Sequence, residues 1–176
     1  MCDKIINFLD PQENKVYFDA TFGQGGYSEK ILAHCKCQVL ASDRDLEAEN
    51  YALLLKKKYK GRFYYKTSKF SEIDETLKFF ERDKVDGITL DLGISNTQIE
   101  KAERGFSFNK DGPLDMRMEQ QNSKDLSAEL IINTYTEEKL SKIFYRYGEE
   151  KYSKKISKNI ILARKKKKIK TTLELS

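Results

Sequence analysis

The 176-residue chain has no apolar stretch approaching the roughly 20 residues that span a bilayer. Its N-terminus, MCDKIINFLDPQ, lacks the long apolar core and small-residue cleavage site of a signal peptide. Cysteine is scarce: Cys2, Cys35 and Cys37 make no disulfide framework and fit a reducing compartment. Histidine is scarcer still. The lone His34 beside Cys35-x-Cys37 falls short of a four-ligand set, so no metal is expected and packing at a helix end is the better reading. These absences exclude a secreted or membrane protein as the first reading and favour a cytoplasmic one. Hydrophobic residues at 39% beside charged residues at 35% describe a globular protein with a core and a heavily charged surface. The charge is uneven. Residues 1–123 carry 19 basic and 21 acidic side chains, whereas residues 124–176 carry 14 and 7. A near-neutral body joined to a basic C-terminal third suggests a polyanionic partner, nucleic acid ahead of anionic membrane. A solvated lysine-rich face explains the same charge equally well.

Along the chain, Val16 to Thr21 reads as a buried strand running into Gly23-Gln24-Gly25-Gly26, with a helix from Ser28 to about His34. Gln38 to Ser42 is a second strand, ending at Asp43. Leu46 to Tyr59 reads as a helix with Leu53, Leu54 and Leu55 inside and Lys56 to Lys58 near its C-terminal end, where cations suit the dipole. Arg62 to Tyr65 is a third strand and Ile73 to Phe80 a third helix. Ile88 to Leu92 is a fourth strand with alternating apolar positions. Strands alternating with helices of this length imply a parallel, doubly wound α/β sheet. Residues 95–120 then lose any sustained period, yet they carry Phe106, Phe108, Leu114, Met116 and Met118, too apolar a set for a plain linker. Beyond Leu126 the helical period returns, with Tyr152, Ile156, Ile160 and Ala163 as one apolar stripe and Lys151, Lys154, Lys155 and Lys158 elsewhere on the helix.

A strand, a glycine-rich turn and a helix bring backbone close to a ligand at the carboxyl edge of a sheet. The glycines here do not follow G-x-G-x-x-G, which suits a pyrophosphate and would indicate a dinucleotide-dependent oxidoreductase. Asp19-x-x-x-Gly23-x-Gly25 is closer to the turn of adenosylmethionine enzymes, whose glycines admit the amino-acid portion of the cofactor. Asp19 is placed to meet that ammonium directly or through water, and Asp43 to accept hydrogen bonds from ribose hydroxyls. Glycine in a tight turn also has purely steric reasons. Turn and strand-end aspartate together favour a nucleoside cofactor without choosing a reaction.

Residues 85–118 do choose one. Val85-Asp86-Gly87-Ile88-Thr89-Leu90-Asp91-Leu92-Gly93, the string AERGFSF over 102–108 and the string KDGPLDMRM over 110–118 closely resemble the bacterial small-subunit ribosomal RNA methyltransferase H family. The likeness continues at residues 22–26, at Asp43-Arg44-Asp45, at Tyr147-Gly148-Glu149-Glu150 and at 171–175, covering nearly the whole chain. The resemblance implies a Rossmann-like class I methyltransferase core with an inserted helical domain, and transfer of a methyl group from S-adenosyl-L-methionine to N4 of a cytosine in the decoding region of 16S ribosomal RNA. It implies a cofactor site of Gly25, Gly26 and Tyr27 at the turn, Asp43 at the ribose, Phe70 beside the adenine, and Asp91 and Gln98 as the remaining contacts. The implied partner is small-subunit ribosomal RNA within an assembled 30S-type subunit, with no membrane; the oligomeric state stays open, a homodimer included. Tyr27 replaces the family's usual histidine, and Asn96-Thr97 its usual Ser-Pro. Family members also have a strand motif ahead of Cys2 and further sheet strands beyond Leu175. The expectation is therefore a chain shortened at both ends: 1–95 as part of the core with an incomplete sheet, 96–123 as a substrate-side loop, and 124–176 as the basic helical insert.

Methylating an exocyclic amine asks mainly for alignment with an already activated methyl. Asp91, accepting a hydrogen bond from the amine, is the candidate catalytic residue. Methylating carbon 5 instead needs a cysteine nucleophile, and no cysteine follows the fourth strand. Arg104, Lys110 and Arg117 point to substrate contact by the loop, and Phe106 and Phe108 either stack on a flipped base or pack in a core. The basic run from Lys151 to Lys168 is a candidate grip on phosphates. The competing reading is a catalytically inactive truncated remnant that acts at most as an RNA-binding module.

Overall fold

The computed structural model describes residues 2–119 and 126–176, with side chains of the first helix from Lys4 onward. It divides into two compact units, Met1–Gly93 and Ile94–Ser176. In the first unit, helix α1 (Cys2–Leu9) precedes β1 (Val16–Asp19), α2 (Gly26–His34), β2 (Gln38–Asp43), α3 (Ala48–Lys58), β3 (Phe63–Thr67), a 3-10 turn (Phe70–Glu72), α4 (Ile73–Phe79) and β4 (Gly87–Thr89). The strands form one parallel sheet in the order β3-β2-β1-β4. Alternation along β1 and β2 explains the layering. Tyr17, Val39 and Ala41 face one side with Ile6 of α1, Ile31 and Leu32 of α2 and Ala52 and Leu55 of α3. Phe18 and Leu40 face the other with Leu77 of α4. Each large side chain so buried contributes about 1.5–3 kcal/mol. This is the Rossmann-like α/β core expected. The connections run β1 to β2 to β3 on one side and return to the far side of β1 for β4, so the order reverses between β1 and β4.

Three local expectations are corrected. Only Leu55 of the three consecutive leucines is buried; Leu53 and Leu54 are 58% and 64% exposed. Successive residues turn by about 100° on a helix, and the inward face is Ala48, Ala52 and Leu55. The fourth strand is three residues long rather than five, because β1 ends at Asp19, paired with Thr89, and offers no further strand partner. Ile88, Leu90 and Leu92 consequently stay exposed. Helix α2 begins two residues before Ser28, with Gly25 as its left-handed N-cap.

In the second unit, the stretch without visible period contains a short helix, α5 (Asn96–Glu100), and a 3-10 turn (Ala102–Arg104). Helices α6 (Ala128–Thr134), α7 (Glu137–Gly148), α8 (Ser153–Lys166) and α9 (Thr172–Leu175) follow. Leu114 is fully buried with Ile132, Leu140, Ile160 and Ile169, so the segment does pack as its apolar content suggests. Asn133 ties in the chain after α8: its Nδ2 donates to Ile169 O at 2.7 Å and its Oδ1 accepts from Ile169 N at 3.1 Å. The boundary expected between 123 and 124 lies outside the described residues. The stripe expected on α8 is corrected. Tyr152, Ile156 and Ala163 are exposed, and the buried positions are Ser153, Ser157 and Ile160. Ser157 Oγ donates to Ser153 O at 2.8 Å, so its hydroxyl is satisfied within the helix and the small side chain can sit inside.

Of the loop cations expected at substrate, Arg104 is turned inward. Arg104 is 1% exposed and donates to the carbonyls of Arg117 and Met118. Arg117 is ion-paired with Asp115, and Lys110 Nζ donates to Glu100 O at 2.8 Å. Each thus has a partner within the unit, while Lys110 stays exposed and Arg117 half-buried. Phe108 is exposed, whereas Phe106 is half-buried.

Candidate cofactor site

Parallel strands bring Asp19, Asp43 and Asp91, the residues at or just past the ends of β1, β2 and β4, to the carboxyl edge of the sheet in the first unit. The strand order reverses between β1 and β4, and the carboxyl edge at such a reversal is the usual place for a ligand in sheets of this kind.

The turn after β1 is built for close approach. Gly25 has φ +84°, and a Cβ there would stand 2.7 Å from the Phe22 ring, so glycine is required by the protein's own packing. Gly26 differs. It has an ordinary φ, and a Cβ on it would meet nothing within 4 Å. Internal sterics give no reason for glycine at 26, but a ligand seated against the backbone would. Asp43 locks the turn from the neighbouring strand: Oδ2 accepts from Gly23 N at 2.7 Å and Oδ1 from Asp45 N at 2.9 Å. Each carboxylate oxygen retains a lone pair for a further donor such as a ribose hydroxyl. Burial raises the Asp43 pKa, opposed by these backbone hydrogen bonds.

Asp19 does not face a ligand as expected. It is fully buried, with Ser28 Oγ donating to Oδ2 at 2.7 Å and Thr21 N to Oδ1 at 3.4 Å. Burial pushes its carboxyl up to about 6. Its role is internal: it fastens the start of α2 to the end of β1.

Asp91 is exposed. Its backbone N–H donates to Thr21 Oγ1 at 2.7 Å, and its Oδ2 accepts from the Tyr27 hydroxyl at 3.2 Å. The Tyr27 hydroxyl thus holds the candidate catalytic carboxylate. Phe70 is 46% exposed in the 3-10 turn that follows the carboxyl end of β3, available as an aromatic face. Gln98 belongs to the second unit. It is buried there, its Oε1 accepting from Ser95 N at 2.9 Å in the capping box of α5. Sequence reasoning missed Thr21 and Ser28. The spacing of Thr21, two residues after a strand-end aspartate, was the available signal.

The arrangement offers carboxylates, a glycine face and an aromatic edge, which suits a cationic, nucleoside-bearing ligand better than a phosphate. Among the described residues no group of three or more His, Cys, Asp or Glu is arranged to hold a metal ion. Nor is any described helix long and apolar enough to cross a membrane.

The chain is similar to the ribosomal RNA small subunit methyltransferase H of Ehrlichia chaffeensis, 47% identical over 176 residues, 100% of this chain and 59% of that protein. It is 46% identical over 173 residues to the protein of the same name from Ehrlichia canis, covering 98% of this chain and 58% of that one. The Paramagnetospirillum magneticum protein of that name is 46% identical over 173 residues, with 98% and 54% covered. The chain thus spans less than two thirds of the length of these relatives. The family model described as the MraW methylase family matches residues 1–176, and with the glycine turn, Asp43 and Asp91 assembled as above, the chain belongs to that family.

Proposed function

We propose that this chain carries the cofactor half of an S-adenosyl-L-methionine-dependent methyltransferase acting on N4 of a cytosine in small-subunit ribosomal RNA within a 30S-type particle. The observation that carries the cofactor assignment is Gly26, which faces open space in a turn fastened to Asp43. The names of the similar proteins support the RNA substrate.

When bound, the cofactor supplies a methyl group already activated by its sulfonium. The residues of the chain bind and orient. Gly25 and Gly26 admit the amino-acid portion against backbone, Asp43 accepts from the ribose and Phe70 flanks the base. Asp91, held by Thr21 and Tyr27, accepts a hydrogen bond from the exocyclic amine and aims its lone pair. The amine proton leaves to water as charge develops. Cys35 and Cys37 flank the entry to β2, at the opposite edge of the sheet, so neither serves as the nucleophile that carbon methylation needs.

The decisive measurement is titration calorimetry of the chain with S-adenosyl-L-methionine, beside Asp43→Ala. Saturable binding that is lost in the variant is expected, followed by methyl transfer to small-subunit RNA that falls in Asp91→Ala. Absence of binding by folded protein overturns the cofactor assignment, and full turnover of Asp91→Ala overturns its catalytic role.

A further inference from the structure

A concavity lies at the other end of the same sheet. The approaches to all four strands line a cleft of about 860 Å³, with Val16 opening β1, Gln38 opening β2, Arg62 just before β3 and Asp86 just before β4. It stands at the amino edge, opposite the glycine turn. Four cations line it, Lys36, Arg62, Arg82 and Lys84, against the single carboxylate Asp86. That carboxylate is already taken: Lys15 Nζ lies 3.0 Å from Oδ1, and Val16 N donates to Oδ2 at 2.9 Å. Among the described residues, none of Lys36, Arg62 and Arg82 forms an ion pair. The cleft therefore holds uncompensated positive charge.

Two of the cations are fixed in advance. Arg62 Nη1 donates to Leu32 O at 3.1 Å and Cys35 O at 3.0 Å, and its guanidinium lies 5.2 Å from the centroid of the Tyr59 ring. Arg82 Nη2 donates to Gln38 Oε1 at 3.1 Å. A guanidinium held this way keeps donors for an incoming anion and loses little entropy on meeting it. Lys36 and Lys84 are exposed, and Lys84 lies near enough to Asp86 to help hold its carboxyl below the usual range.

We infer that this amino-edge cleft is a phosphate-binding site, separate from the candidate cofactor site, that grips the backbone of an RNA strand. An open basic cleft with preformed guanidiniums suits phosphodiesters, whose contacts position a nucleic acid without reading its bases. RNA as the source of the phosphate rests on the RNA methyltransferase reading; phosphate recognition itself does not.

The test uses Lys36→Ala/Lys84→Ala, two exposed lysines whose loss leaves the packing of Arg62 intact, and a control pair, Lys56→Ala/Lys57→Ala, exposed on α3 and absent from the cleft. Fluorescence anisotropy reads binding of a single-stranded RNA 20-mer from 0.05 to 0.3 M salt. Each lost phosphate contact lowers the salt slope by about 0.7 for a single strand, so the cleft pair is expected to bind about 25-fold more weakly at 0.1 M salt with a slope smaller by about 1.4. Calorimetry with S-adenosyl-L-methionine should be unchanged in both pairs. If RNA binding is unmoved but the wild-type chain binds inorganic pyrophosphate and the cleft pair does not, the phosphate site stands and its ligand is a small phosphorylated compound. Equal weakening by both pairs, or no effect of the cleft pair on either probe, overturns the site. Pyrophosphate binding without any RNA binding would sink the RNA methyltransferase reading and leave the cleft standing.

Discussion

Replacing Asp19 by asparagine isolates the cost of a buried charge beneath the cofactor turn. The carboxyl is fully buried, and burial raises its pKa from 3.8 to about 6. A folded-state value above the unfolded one means that the folded chain binds the proton more tightly. The stability contributed by this group is complete below about pH 3.8 and is lost as pH rises through 6. A rise from 3.8 to about 6 corresponds to about 3 kcal/mol, most of it lost between pH 4 and pH 7.5. Asparagine keeps the size and one acceptor oxygen but does not titrate, so whatever hydrogen bonds to Thr21 and Ser28 it loses change the absolute difference and not its slope with pH. Urea unfolding of both proteins from pH 4 to pH 7.5 should therefore show the variant gaining on wild type by about 2–3 kcal/mol as pH rises. A difference that stays flat across that range would refute the burial argument, whatever its absolute size.

Gly25→Ala should cost about 2 kcal/mol or more in urea unfolding, since it combines a left-handed φ with a 2.7 Å approach to Phe22. Gly26→Ala should leave stability unchanged or slightly higher and yet weaken cofactor binding at least about tenfold by calorimetry, because only a ligand occupies that space. Tyr27→Phe removes a hydrogen bond to Asp91 at an exposed position; stability should hold while kcat drops about fivefold with KM for the cofactor unchanged. Ile160→Ala should cost about 2–4 kcal/mol and Ile156→Ala less than about 1 kcal/mol, since Ile156, one turn earlier on the flank of the buried face, is 37% exposed, whereas a common apolar stripe would make the two equal.

The parts legible in the sequence were those with a local physical signature. The runs opening at Val16 and Gln38 are short, apolar and bounded by a glycine turn or an acidic end, and both strands begin where those limits put them, although β1 stops at Asp19, two residues short of the expected Thr21. The strings around 102–118 pointed to the family that the comparisons show. What stayed hidden depends on partners distant in sequence. Asp19 looks like a ligand-facing acid until Ser28 is found against it, nine residues on. Arg104 looks like a substrate contact until the carbonyls of Arg117 and Met118 close over it. On α8 the apolar residues misled because packing selected small serines over larger side chains, a choice no hydropathy pattern records.

The bond from Asp91 N to Thr21 Oγ1 joins residues 70 apart, whereas the lock from Asp43 to Gly23 spans only 20. Closing the longer loop costs more chain entropy, and β4 adds only a three-residue pairing with β1 to offset it. As the chain folds, the glycine turn can therefore set against β2 while the acceptor for the amine has yet to arrive. A protein emerging from the ribosome would acquire its cofactor cradle first and its reactive geometry last. On the proposed reading, partly folded chains would then offer the glycine turn and Asp43 before the candidate catalytic carboxylate is in place.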